Sequence, residues 1–152
     1  MKAKDIMETN VISVSEDTSV EEMANILTDN NISGVPVLNE ECRVVGIVSQ
    51  KDIIYKDVEP RFPPVAEILG GLIYLGGVKH YNEELKKLVA TTAEEIMTKE
   101  VITAYENDEI GEIAELMVEN DINRIPVLHD DGRLAGIISR ADIVKYIAGG
   151  NY

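Results

Sequence analysis

Residues 46–53, GIVSQKDI, return as residues 136–143, GIISRADI. The similarity extends on both sides of these stretches: residues 3–55 align with residues 93–145 without a gap at an offset of 90, and 19 of the 53 pairs are identical. A gapless match of this length rarely arises by chance, so the chain carries one unit twice. We therefore predict a first repeat over 1–55, a connector over 56–92 and a second repeat over 93–152.

Each unit predicts the element order β-α-β-β-α. In the first copy the predicted elements are a strand over 11–14, a helix with the apolar face Val20, Met23, Ala24 and Leu27, strands over 35–38 and 44–48, and a last helix that Ser49 and Asp52 open. Thr18 and Glu21 form a capping-box pattern before the first helix. Pro36 favours an edge strand or the first residue of a strand. One unit buries little surface alone, so we expect the two units to share a core.

The chain is strongly acidic, with a net charge of −14 from 28 acidic and 14 basic residues. Binding to nucleic acid or to anionic lipid needs a basic face, so we expect neither nucleic acid nor a membrane as a partner. Cys42 is the only cysteine, which fits a reducing cytoplasm. With two histidines and one cysteine, the sequence favours no transition-metal site.

The connector over 56–92 contains the most apolar stretch of the chain, residues 62–78. Four glycines and two prolines interrupt this stretch, and it falls short of the roughly 20 residues that span a bilayer. Residues 82–90 predict a helix, with acids first and lysines last, as the helix dipole favours. Two interpretations stay open: the connector covers an exposed face, or it forms a dimer interface or a lid over a ligand.

Together these features resemble the tandem CBS domain, or Bateman module, of the standalone type. The motifs that carry the resemblance are an apolar-Pro-Val-apolar strand, at 35–38 and 125–128, and Gly-apolar-apolar-Ser-x-x-Asp, at 46–52 and 136–142. The resemblance implies an α/β fold of the α+β type, in which two β-α-β-β-α repeats pack about a pseudo-twofold axis. It also implies two clefts that bind an adenosyl ligand (AMP, ADP, ATP or S-adenosylmethionine), and modules that pair as a homodimer.

In the first cleft, the resemblance assigns the ribose and the phosphate to the second repeat. Asp142 would accept hydrogen bonds from the ribose hydroxyls, and Ser139 at the helix N-terminus would meet a phosphate. Arg124 and Arg140 would add guanidinium contacts to that phosphate. The residues that would enclose the base come from the first repeat: Met7, Ile12, Ile32 and Ser33.

The second cleft exchanges the roles of the two repeats. Ser49 and Asp52 would hold the phosphate and the ribose, with Lys51 as the nearby cation. The residues that would enclose the base are Met97, Ile102, Ile122 and Asn123.

The two predicted clefts differ in charge, because Gly34 and Gln50 stand where the second repeat has Arg124 and Arg140. We therefore expect the Asp142 cleft to bind a phosphorylated ligand more tightly than the Asp52 cleft does. Plainer interpretations of the same residues also hold. Ser-x-x-Asp caps a helix without any ligand, Arg124 is then a surface arginine, and the two methionines fill cores.

Three functional hypotheses follow. The first is a regulatory module whose adenosyl ligand shifts its conformation or oligomeric state and is read by a regulated protein. The second is a ligand-free structural or dimerisation module that acts through protein contacts. The third, an enzyme, is the weakest, because no set of nucleophile, base and acid is evident and no catalytic residue can be named.

Overall fold

The computed structural model describes residues 1–57, 65–68, 71–74 and 92–149. Within these residues the chain forms two three-stranded sheets, one two-stranded sheet and five α-helices. The first repeat contains a 3-10 turn over Ala3–Asp5, followed by β1 (Val14–Ser15), α1 (Val20–Asp29), β2 (Gly34–Leu38), β3 (Val44–Ser49) and α2 (Gln50–Asp57). The second contains α3 (Ala93–Ile96), β6 (Ala104–Tyr105), α4 (Ile110–Glu119), β7 (Arg124–Leu128), β8 (Leu134–Ser139) and α5 (Arg140–Ile147). This order confirms the α+β fold and the β-α-β-β-α pattern of each repeat.

Two strands, β4 (Val65–Ile68) and β5 (Gly71–Tyr74), lie in the predicted connector and pair antiparallel. The predicted helix over 82–90 lies outside the described residues. The parts of the apolar stretch that do not belong to β4 or β5 also lie outside them. Both interpretations of the connector, as a cover or as an interface or lid, therefore stay predictions.

Each three-stranded sheet has its short first strand parallel to the middle strand. In the second repeat, β6 meets β7 only at Ala104–Val127 and Tyr105–Leu128, whereas β7 pairs antiparallel with β8 from Arg124–Ser139 to Leu128–Leu134. The expectation that Pro36 lies in an edge strand or at the first residue of a strand is wrong. The strands β2 and β7 are the central strands of their sheets, and Pro36 is the third residue of β2. Proline is tolerated there because the two-residue partner strand ends before reaching it, so no ladder hydrogen bond is lost.

The same short pairing corrects the first predicted strand. We expected a strand over 11–14, and the structure has it at Val14–Ser15, since only Val14 and Ser15 face partners, Val37 and Leu38. The helix α1 carries the predicted face, with Val20, Met23 and Leu27 buried.

The N-caps of two helices differ from the capping-box patterns in the sequence, one in the capping residue and the other in the hydrogen bond that its side chain makes. Ser19, rather than Thr18, is the N-cap of α1, and its hydroxyl accepts a hydrogen bond from the backbone N–H of Glu22 at 3.1 Å. Thr92 is the N-cap of α3, but its hydroxyl donates to the Glu95 carboxylate at 2.9 Å instead of bonding the backbone. A second capping pattern one residue away therefore decides where α1 begins.

The chain divides into two compact units that do not coincide with the two repeats. Unit 1 contains Met1–Ser15, Pro36–Ile47 and Thr98–Tyr152, and unit 2 contains Glu16–Val35 and Val48–Met97. Each repeat sends its N-terminal segment into structure built by the other repeat. In unit 1 the backbone N–H of Ala3 donates to Asp108 at 2.9 Å, and in unit 2 the N–H of Ala93 donates to Thr18 at 2.8 Å.

The core of unit 1 shows this exchange in its packing. Ala3 and Ile6, from the first repeat, lie in one buried cluster with residues of the second repeat that are fully or almost fully buried: Ala104, Ile110, Ile113, Met117, Ile125, Val127, Ile138 and Ile143. Glu8 then bridges to Ile137 through two backbone hydrogen bonds of 2.9 and 3.0 Å, which adds an edge to β8. The N-terminal segment is therefore part of the core that holds the second repeat's Ser139 and Asp142 in place.

Candidate functional site

The start of α5 is built by a closed ring of hydrogen bonds between Ser139 and Asp142. The carboxylate Oδ2 of Asp142 accepts from the backbone N–H of Ser139 at 2.8 Å and from its hydroxyl at 2.6 Å. The Ser139 hydroxyl in turn accepts from the N–H of Asp142 at 3.3 Å. This is a capping box in which an aspartate replaces the usual glutamate, and it fixes the carboxylate beside the helix N-terminus.

The start of α2 repeats the arrangement. Asp52 Oδ2 accepts from the backbone N–H of Ser49 at 2.8 Å and from its hydroxyl at 3.0 Å. Asp52 is buried, whereas Asp142 is half-buried. The plainer interpretation, that Ser-x-x-Asp caps a helix, is thus realised at both places, and ligand binding must coexist with the cap.

Arg124 lies directly across from Ser139, because these two residues are the first register pair of β7 and β8. We call Arg124, Ser139 and Asp142 the Asp142 centre, and Ser49 and Asp52 the Asp52 centre. A carboxylate offers about four lone-pair positions, so the two bonds of the capping box do not fill the Asp142 carboxylate. The centre therefore combines a fixed carboxylate and a helix N-terminus with an arginine residue on the neighbouring strand.

Arg140 does not extend this group, although the sequence predicted it as a phosphate contact. Its Nε donates to the Ile122 carbonyl at 2.9 Å, and its Nη2 donates to the Met117 carbonyl at 3.3 Å and to Asp121 Oδ1 at 3.2 Å. These acceptors lie at and just beyond the C-terminal end of α4. The guanidinium is therefore directed to the helix end that carries unpaired carbonyls.

The apolar residues assigned to the first cleft fall in different places. Met7 packs against β8, where a methyl group added to Gly136 would lie 2.6 Å from the Met7 sulfur. Ile12 is exposed to solvent, with 36% of its area accessible. Ile32 is half-buried and Ser33 is exposed, and both belong to unit 2, whereas the Asp142 centre belongs to unit 1.

The residues assigned to the second cleft are likewise divided between the two units. Lys51, which is exposed, and Met97, which is half-buried, lie in unit 2 with the Asp52 centre. Ile102 and Ile122 pack against the core of unit 1, and the Asn123 carbonyl accepts the backbone N–H of Arg140 at 2.9 Å. The structure thus brings together the polar members of each centre, and the assignment of the base-enclosing residues stays a prediction.

One neighbour of the Asp142 centre escaped the sequence analysis. Lys145 Nζ lies 3.9 Å from Asp142 Oδ1, three residues along α5. The signal was present in the sequence, since residues three apart on a helix face each other. In the first repeat the same position is Tyr55.

Two further properties concern the part of the chain that the structure describes. Among those residues, no cluster of three or more histidine, cysteine or acidic side chains has the arrangement of a metal site. Within the same residues, no helix combines the length and the apolar character that crossing a membrane requires.

Comparisons with known proteins agree with this fold. The sequence model of the family described as CBS domain matches residues 3–59 and 93–149. The uncharacterized protein MJ1426 of Methanocaldococcus jannaschii is 33% identical over 152 aligned residues, which cover 95% of this chain and 90% of that protein.

Two solved structures are similar over nearly their whole length. The CBS domain pair of protein MJ0100, in complex with 5′-methylthioadenosine and S-adenosyl-L-methionine, has a TM-score of 0.73 at 27% identity and covers 99% of this chain and 98% of its own. CBSX2 in complex with AMP has a TM-score of 0.75 at 22% identity, with 97% and 96% covered. At its lower identity, the second likeness shows the fold alone.

Proposed function

This chain belongs to the CBS domain family, and we propose that it is a regulatory module that binds an adenosyl ligand at the Asp142 centre and performs no catalysis. The observation that carries the proposal is the fixed Asp142 carboxylate beside a helix N-terminus, with Arg124 across the strand pair. A ribose supplies two hydroxyl donors for that carboxylate, and charge-assisted hydrogen bonds of this kind are strong. The adenosyl ligands held by the CBS pair of MJ0100 support this ligand class.

The charge of the Asp142 centre favours a phosphorylated ligand, AMP, ADP or ATP. A phosphate at the start of α5 would meet the helix N-terminus and the guanidinium of Arg124. At the Asp52 centre, Gly34 stands in place of Arg124, and Lys51 is exposed. We propose that the Asp52 centre takes a ligand with less negative charge, such as S-adenosylmethionine, or stays empty.

The test is a thermal-shift series with AMP, ADP, ATP and S-adenosylmethionine on the wild type, Asp142→Ala and the control Asp130→Ala. A ligand at 100 times its dissociation constant should stabilise the chain by about 2.7 kcal/mol, which is a shift of several degrees. We expect the shift in the wild type and in Asp130→Ala, an exposed turn acid, and its loss in Asp142→Ala. An unchanged shift in Asp142→Ala would place the ligand elsewhere, and no shift with any ligand would refute the proposal.

A second candidate function, a ligand-free interaction module, is favoured by the hydrogen bonds that the Ser139 and Ser49 hydroxyls already donate to Asp142 and Asp52 without any ligand. Exposed apolar residues on the helices also support pairing with a second copy of the chain. In unit 1 these residues are Val118, Val144 and Ile147, with 77%, 63% and 75% of their areas accessible. In unit 2, α1 and α2 line a groove of about 320 Å³ that includes Ile54, which is 61% exposed.

We propose that α4 and α5 of unit 1 form the contact surface of a homodimer, which would transmit the ligand signal to a regulated protein. Light scattering coupled to size exclusion should find a dimer for the wild type and a monomer for Ile147→Glu, because a buried unpaired charge opposes association. Tyr105→Glu, at an exposed residue of β6, is the matched control and should stay dimeric. A wild-type monomer at high concentration would refute the pairing.

A further inference from the structure

The side chain of Arg140 joins the end of α4 to the start of α5. Its guanidinium donates to two backbone carbonyls, those of Met117 and Ile122, and to the Asp121 carboxylate. Its backbone N–H donates to the carbonyl of Asn123 at 2.9 Å. Four hydrogen bonds from one residue therefore fasten the segment after α4 to the residue that follows Ser139.

The segment that Arg140 holds is a tight turn. Asp121 has a positive φ of 49°, and the backbone N–H of Ile122 returns to the Met117 carbonyl at 3.0 Å. That carbonyl thus accepts two donors, one from the turn and one from Arg140. Helix ends leave such carbonyls without partners inside the helix, so the arginine completes the termination of α4.

The first repeat has the same backbone turn without the arginine. The N–H of Ile32 returns to the Leu27 carbonyl at 3.0 Å, and the N–H of Gln50 donates to the Ser33 carbonyl at 3.1 Å. A glutamine side chain has two N–H donors and no charge, whereas an arginine has five donors in a rigid plane. The two repeats therefore share the turn and differ in how firmly it is tied to the next helix.

We propose that Arg140 is a positioning residue of the Asp142 centre, and not a phosphate ligand; this inference rests on the proposed function. By fastening the start of α5 to the end of α4, Arg140 fixes the direction in which Ser139 and Asp142 present their groups. Its contribution is then the same for every adenosyl ligand, whatever the number of phosphates. A phosphate ligand would instead contribute only to phosphorylated ones.

The decisive experiment measures dissociation constants for AMP and for 5′-methylthioadenosine, which has no phosphate, well below the unfolding temperature. For Arg140→Gln, we expect both constants to rise by the same factor, roughly threefold to tenfold, which corresponds to one net hydrogen bond. Arg140→Lys should behave as Arg140→Gln does, because an ammonium keeps the charge but cannot span three acceptors. A rise for AMP alone, with rescue by lysine, would overturn the proposal and make Arg140 a phosphate ligand.

A purely structural role would lower the melting temperature and leave both constants unchanged, and that result would also overturn the proposal. Asp121→Asn is the matched control, since Asn31 occupies this position in the first repeat with a φ of 51°. It removes the negative charge but keeps an amide oxygen that can accept from Arg140, together with both carbonyls, so both constants should change less than they do in Arg140→Gln.

Hydrogen exchange of the ligand-free protein separates failure of this inference from failure of the proposed function. In the wild type, the amide of Ile122 should exchange more slowly than the amide of Ile32, its counterpart without an arginine. In Arg140→Gln the Ile122 amide should exchange as fast as that of Ile32. Equal exchange rates of the Ile122 and Ile32 amides in the wild type would show that Arg140 does not stabilise the turn after α4. If slow exchange at Ile122 is found but neither ligand binds, the proposed function and the role at the ligand site both fail.

Discussion

The two Ser-x-x-Asp helix starts share two internal hydrogen bonds and differ in the residues next to them. In both, one carboxylate oxygen accepts from the N–H and the hydroxyl of the serine three residues earlier. The second repeat has three basic residues near its helix start in the sequence pattern, Arg124, Arg140 and Lys145, where the first repeat has Gly34, Gln50 and Tyr55. The duplicated unit thus keeps the groups that build the helix start and varies the charged residues next to it.

The comparison of the two helix starts separates two roles of the Ser-x-x-Asp motif, capping of a helix and recognition of a ligand. The capping bonds stabilise the helix whether or not a ligand is present, whereas the recognition of charge depends on side chains that lie outside the box. A Ser-x-x-Asp pattern alone therefore indicates a helix start, and its neighbours indicate what it can bind. Arg140 refines the distinction further, because it lies beside the box and yet points to the end of α4.

The largest effect should come from the exchanged N-terminal segments. Ile6→Ala and Ile96→Ala each remove a side chain that is at least nine-tenths buried, so each should lower the free energy of unfolding by about 2–5 kcal/mol. Urea denaturation measures the loss, and hydrogen exchange locates it. Ile6→Ala should expose β7 and β8 of the second repeat, since Ile6 packs in their core.

For Ile96→Ala, exchange should rise around α1 of the first repeat, because Ala93 and Glu94 bond the backbone just before that helix. Asp130→Ala, at an exposed turn residue, is the control and should change stability by less than about 0.5 kcal/mol. If each substitution instead increased hydrogen exchange only within its own repeat, the conclusion that each N-terminal segment packs with the other repeat would be wrong.

A smaller effect should distinguish the two helix starts. Without ligand, Asp142→Ala and Asp52→Ala each remove the acceptor of two hydrogen bonds, which costs about 0.5–2 kcal/mol. Asp52→Ala should cost more, because Asp52 is buried and its loss leaves donors away from water. Chemical denaturation of both variants in one buffer tests the order, and a greater loss for Asp142→Ala would contradict it.

The smallest effect concerns the turns between the paired strands. Asp131 accepts from the backbone N–H of Arg133 at 3.0 Å and from its Nε at 2.8 Å, and these bonds hold the pKa of the Asp131 carboxyl below its ordinary value. In the first repeat the corresponding pair, Arg43 and Glu41, is longer at 3.8 Å. A lowered carboxyl pKa stabilises the fold at neutral pH, and this stabilisation disappears as the pH falls through the lowered pKa.

An NMR titration of the Asp131 carboxyl should therefore find a higher pKa in Arg133→Gln than in the wild type. Lys99→Gln, at an exposed residue outside this turn, is the control and should leave the Asp131 pKa in place. Equal pKa values in the wild type and in Arg133→Gln would show that the pair has no influence on the carboxyl.

Much of the local structure could be predicted from the sequence. Periodicity located α1, and the Ser-x-x-Asp spacing located the starts of α2 and α5, since these features depend on residues a few positions apart. The prediction of the N-cap of α1 was wrong because Thr18 and Ser19 both fit a capping pattern. The predicted bounds of β1 were wrong because its pairing with β2 sets where the strand begins and ends. The direction of the Arg140 side chain could not be predicted, since its acceptors lie about twenty residues away and a phosphate would satisfy the same donors.

The duplicated β-α-β-β-α unit, with a Ser-Asp helix start in each copy, can be recognised from the amino-acid order alone. A repeat is a property of the sequence, and a capping box forms between residues three apart whatever the rest of the chain does. The packing of Ala3 and Ile6 into the core of the other repeat, in contrast, is visible only in the folded molecule. The same holds for the pairing of His129 with Glu106 at 2.9 Å, across 23 residues. Such contacts depend on which surfaces remain to be buried after the local elements have formed, and several arrangements satisfy the same apolar pattern.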